Sequence, residues 1–112
     1  MTTKQKLILF LIASDPGLKS LYKLIQLFDR CCFPAEMTPN LQYLLDNNLI
    51  RASKWFEKPY KVEPSEFDVT EEGKTYLNKN NIDHEIIGYL NNCQTPGILL
   101  EITQAYLDKK RF

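Results

Sequence analysis

Along residues 4–14, apolar side chains at Leu7, Ile8, Leu11 and Ile12 share one helical face, and Phe10 widens it. "SDPG" then stops that helix with turn residues. A second helical pattern covers about 18–29, with Leu21, Leu24, Ile25 and Phe28 inward and Lys19, Lys23 and Gln26 outward. Pro34 forbids continuation through "RCCFPAEM". A third helix is predicted from Pro39, with Thr38 as its N-cap and Pro39 at the first helical position, where a missing N–H costs nothing. Leu41, Leu44 and Leu45 face the core, Gln42, Tyr43, Asp46 and Asn47 face out, and "DNN" supplies a left-handed stop.

"IRASKWFEK" reads as a strand, "KPYKVEPS" as a loop with two prolines and "EFDVT" as a short strand, which together predict a β-hairpin. Thr70 caps a fourth helix whose first turn holds Glu71 and Glu72, where the helix dipole favours acids. Tyr76 and Leu77 point inward from it. Asp83 is the expected cap of a fifth helix carrying Ile86, Ile87 and Leu90, stapled from outside by Ile82. A final helix over about 97–110 is apolar over most of its circumference, so more than one side of it is buried. The pattern predicts a mainly helical chain with one small β-hairpin.

At 112 residues the chain suits one compact domain able to bury a core unaided. The formal charge is zero, with 14 basic and 14 acidic residues, which weighs against a dedicated nucleic-acid binder. That zero conceals a gradient: residues 1–28 hold four Lys against one Asp, whereas 29–48 hold one Arg against three acids. Three cysteines without a secretory signal suggest reduced thiols in the cytoplasm. The apolar run Leu7–Ala13 is too short to span a bilayer. The adjacent Cys31 and Cys32 lack ligand spacing for zinc, so buried or partly buried thiols are expected, with thiol sensing as a remote alternative. His84, the one histidine, sits in a predicted first turn between two acids, with no nucleophile suggested near it. No Gly-rich phosphate loop, metal cluster or serine elbow is present. No enzymatic activity, cofactor or metal is therefore expected.

Two stretches carry a family resemblance. "LQYLLDNNLIRAS" resembles the third helix and strand start of winged helix-turn-helix proteins, and "FDVTEEGKTYL" resembles their strand-to-helix exit. The order of elements is similar to that of the MarR-like and PadR-like bacterial regulators. The resemblance covers roughly residues 4–80 and implies a winged helix, placed here over 1–81. The surplus apolar positions of the last helix separately suggest that the C-terminal helices, 82–112, pack on it or form a homodimer interface through Ile98, Leu99, Ile102 and Tyr106. The resemblance also implies double-stranded DNA as partner: Asn40, Gln42, Tyr43 and Asn47 at the base edges, Lys19, Lys23, Lys54, Lys58 and Lys61 on phosphates, and Thr38 among the DNA-binding residues.

The same residues support a second reading. From Glu36 to Ile50 there is no Lys or Arg, and the hairpin bases are interleaved with Glu57, Glu63, Glu66 and Asp68. A winged helix of that balance is suited to meeting a protein, with Tyr43 or the aromatics Trp55, Phe56 and Tyr60 as anchors. The expected function is thus a DNA-binding regulator or, alternatively, a protein–protein interaction module of the same fold.

Overall fold

The computed structural model describes residues 1–14, 17–29, 37–59, 61–79, 82–92 and 97–109, five of them (56, 58, 61, 63 and 98) by backbone alone. Helix α1, Thr3–Ala13, begins at a capping box: the Thr2 hydroxyl accepts from the Gln5 N–H at 3.2 Å, and the Thr2 N–H donates to the Gln5 side chain at 2.9 Å. Its six consecutive residues from Leu7 to Ile12 are all buried, so α1 is enclosed rather than laid on a surface by one stripe. It ends where the Ser14 hydroxyl and N–H both donate to the Phe10 carbonyl.

After Gly17, whose φ of 74° suits a residue without Cβ, the chain is extended. Ser20 forms an isolated antiparallel bridge with Glu66, and the Phe67 N–H donates to the Lys19 carbonyl at 2.7 Å. This strand-like use of 19–20 delays α2, Leu21–Asp29, by three residues from the expected start. Leu24, Leu27 and Phe28 are its buried residues; Ile25, expected inward, is 39% exposed because the helix turns Leu27 to the core instead.

Helix α3, Met37–Asp46, starts before Thr38, so Thr38 is not its cap but its second residue. Met37 explains the shift, since beginning there buries its side chain beside Leu41 and Leu44. Pro39 remains in the first turn, where N–H groups have no intrahelical acceptor. The helix closes with Asn48 at φ 58°, the Asn48 N–H on the Leu45 carbonyl and the Leu49 N–H on the Leu44 carbonyl. That left-handed stop is the one expected of "DNN", with Leu49 tucked back onto the core.

Strands β1, Ile50–Lys58, and β2, Lys61–Val69, pair antiparallel from Ile50↔Val69 to Lys58↔Lys61, with a bulge between Ala52 and Trp55. Pairing that reaches Lys58↔Lys61 corrects the longer loop expected around the prolines. Pro64 sits within β2 opposite Trp55, on a strand that has one neighbour in the sheet, so its missing N–H need not interrupt a ladder. Thr70 then caps α4, Glu71–Lys79: its hydroxyl accepts from the Gly73 N–H at 3.0 Å and donates to the Asn48 carbonyl at 2.6 Å.

Helix α5, Asp83–Asn91, starts without a side-chain cap. Ile82 holds the cap position and is fully buried, which makes Asp83 the first helical residue instead of the expected cap. α5 packs on α1, and α6, Gly97–Asp108, packs on α5 and α2. The architecture is mainly helical with one small antiparallel hairpin. Among the described residues no helix is long and apolar enough to cross a membrane, and no cluster of His, Cys, Asp and Glu could hold a metal. Cys31, Cys32 and Cys93 lie outside the described residues, as do Glu36 and Tyr60.

Candidate functional site

The residues expected to read a ligand separate into three groups. Thr38, Gln42 and Tyr43 are exposed along α3, and Asn47 is exposed just past its end. Asn40, expected beside them, is half-buried and lines a hollow with Thr2, Thr3, Lys4 and Tyr89 near the start of α1. Helical phase separates Asn40 from Thr38 and Gln42, each two positions away. Lys58 and Lys61 belong to the hairpin tip, and their side chains lie outside the described set, as does that of Ile98.

Two amides on the exposed face are bound within the chain. The Gln42 amide donates to Asp46 at 2.8 Å, and the Asn47 amide donates to the Tyr43 carbonyl at 2.8 Å. The bases behind them are paired with acids of the hairpin. Lys19 meets Asp68 at 3.2 Å, Arg51 meets the same carboxylate at 3.5 Å, and Lys54 meets Glu66 at 3.6 Å. Burial pushes the Asp68 carboxyl up, but hydrogen bonds from Lys19 and the Val69 N–H, with the charges of Lys19 and Arg51, outweigh it and hold Asp68 below its ordinary value. Lys23 is exposed on α2.

Between α3 and the hairpin lies a groove of about 270 Å³. From α3 it is lined by Thr38, Leu41, Gln42 and Leu45, and Leu21 contributes from α2. The hairpin adds Trp55, Val62, Pro64 and Phe67. Phe67 and Leu41 are buried and form the floor, whereas Trp55 is 59% and Val62 55% exposed at the rim. Nine described residues line the groove and none is charged. Thr38 and Gln42 supply the polar side chains in it. Such a lining shields an apolar guest from water, and its described residues offer no cation to a phosphate.

Leu21, Leu45, Val62 and Pro64 were not legible as site residues. Val62 and Pro64 alternate with Glu63 as strand positions should, but the prolines around them read as a loop. Of the residues expected at a dimer interface, Leu99 is fully buried inside its own chain and is unavailable to a partner, because α6 turns it toward the core. Ile102 and Tyr106 are half-buried and pack against that core. His84 is exposed on α5.

No protein family, no curated protein and no solved structure matches the chain.

Proposed function

We propose that this chain is a winged-helix interaction module that docks a protein partner in the groove between α3 and the hairpin. The observation that carries the reading is the groove rimmed by Trp55 and Val62, whose described lining residues are all uncharged. An exposed Trp beside an apolar pocket is the type of residue on which interface energy concentrates. The order α1, bridge, α2, α3, β1, β2, α4 supports the winged-helix part, with Ser20 in the place of a short strand lying against the wing. Leu45→Glu and Trp55→Ala, each with folding checked by circular dichroism, are expected to abolish co-purification of a native partner. Retention of every partner by both variants overturns the reading.

DNA binding and transcriptional regulation form the second reading, favoured by the exposed residues Gln42 on α3 and Asn47 just past its end, whose amides would have to exchange their bonds within the chain for bases, and by Lys23 on α2. It predicts retention of duplex DNA at low salt, with a log–log salt slope of roughly 0.9 for each phosphate contact. Absence of a shifted complex at low salt removes it. In either case the module acts in the cytoplasm. Ile102 and Tyr106 of α6 are the positions at which a second copy would pair, and a 13.1 kDa species at high concentration in sedimentation excludes the homodimer.

A further inference from the structure

We infer that the groove selects a partner segment in extended form that inserts one bulky, uncharged apolar side chain, Phe or Leu in type, between Leu45 and Trp55. This rests on the docking reading above and specifies the chemistry of the partner. Size sets the first limit. An apolar cavity of about 150 Å³ admits benzene, so a groove of about 270 Å³ receives one ring or branched aliphatic side chain with part of its backbone. It has no room for the several anchors that an amphipathic helix lays down along a groove.

Charge sets the second limit. Among the described residues the lining holds no charge, and of the charges nearby Lys54 is paired with Glu66, and Lys19 and Arg51 with Asp68. A cationic or anionic side chain entering the groove would lose its hydration without gaining a counter-ion, which is costly. An apolar side chain loses nothing comparable and shields the exposed faces of Trp55 and Val62. The Thr38 hydroxyl and the Gln42 amide stand at the wall, where they can meet the peptide groups flanking the anchor.

Trp55 is the one tryptophan of the chain, so its fluorescence reports on the groove directly. The probes are N-acetyl-Gly-Gly-Phe-Gly-Gly-amide, the same peptide with Lys or Glu at the centre, and toluene. The Phe peptide is expected to shift Trp55 emission and the amide resonances of α3, and to bind at least about tenfold more tightly than the Lys and Glu peptides and than toluene. A tenfold ratio corresponds to about 1.4 kcal/mol. Val62→Glu, at an exposed position, is expected to reverse the preference toward the Lys peptide while far-ultraviolet circular dichroism stays unchanged. Equal binding of charged and apolar peptides overturns the proposal, and so does binding of no probe. Toluene binding as tightly as the Phe peptide overturns it in favour of a small apolar ligand. If native partners are lost in Trp55→Ala yet no apolar probe enters, the anchor specificity fails and the docking reading stands. Partners that stay bound to Trp55→Ala sink both.

Discussion

Helices α1 and α3 are close in length, eleven and ten residues, yet the fold uses them oppositely. α1 buries six residues in a row and meets α3, α4, α5 and β2. α3 buries Met37, Leu41 and Leu44 and leaves Gln42, Tyr43, Asp46 and Asn47 in solvent, with Leu45 half-covered at the groove. An enclosed helix has no surface left with which to recognise anything, so its composition answers to packing alone. A helix covered on one side keeps a second set of positions whose identities cost little stability. The contrast separates the residues that make the molecule from those that give it a use.

The contrast breaks most visibly if an α1 residue proves dispensable. Phe10 is fully buried, and Phe10→Ala is expected to lower stability by about 3–5 kcal/mol, read as a fall in the urea midpoint. A loss below about 1 kcal/mol would mean that α1 is not enclosed. The next largest effect lies where the hairpin returns to the helices. A Cβ on Gly73 would stand 2.2 Å from the Leu49 carbonyl oxygen and 2.7 Å from Val69. Backbone cannot retreat as a side chain tip can, so Gly73→Ala is expected to destabilise by roughly 1–3 kcal/mol, the range for overpacked sites. An unchanged melting temperature would show that α4 can slide away from the end of α3.

The enclosed half was largely readable in sequence, and the open half was not. Leu41 and Leu44 at helical spacing, "DNN" as a left-handed stop and Thr70 as a cap are local patterns, each set by residues within about one turn, and the fold uses them as expected. The misplaced features depend on partners far away in the chain. Lys19 and Ser20 are held along β2, by the Phe67 N–H and the bridge to Glu66, which starts α2 late, and the Lys19 ammonium pairs with Asp68, 49 positions on. Leu99 looks like surplus apolar surface until the fold around α6 covers it. The groove is the extreme case, because its walls come from α2, α3 and both strands, and no single stretch contains its pattern.

A smaller effect tests how α1 is tied at its edge. Glu85 of α5 accepts from the Thr3 hydroxyl at 2.7 Å and from Lys6 at 2.9 Å, and these two bonds, Thr3 first, lower its pKa from the ordinary value. The Lys6 ammonium is raised in turn, chiefly by the hydrogen bond to Glu85. A lowered carboxyl stabilises the fold above its unfolded pKa, and the contribution fades as pH falls through the folded value. Wild type should therefore exceed Glu85→Gln in stability at pH 7, by at most about 1 kcal/mol because solvent screens the pair. The two should converge in acid below the usual glutamate range. A difference that persists there would assign the effect to packing.

The smallest change in stability is expected at the residue with the largest expected effect on docking. Trp55 is 59% exposed on β1, opposite Pro64, and its ring forms a rim rather than a floor. Trp55→Ala should move the urea midpoint by about 0.5 kcal/mol or less, as surface substitutions do. The floor behaves otherwise: Phe67 is buried, and Phe67→Ala should unfold the hairpin and empty the groove together. If Trp55→Ala proves as destabilising as Phe10→Ala, the indole belongs to the core, and the division between an enclosed half and an open half of the molecule falls with it.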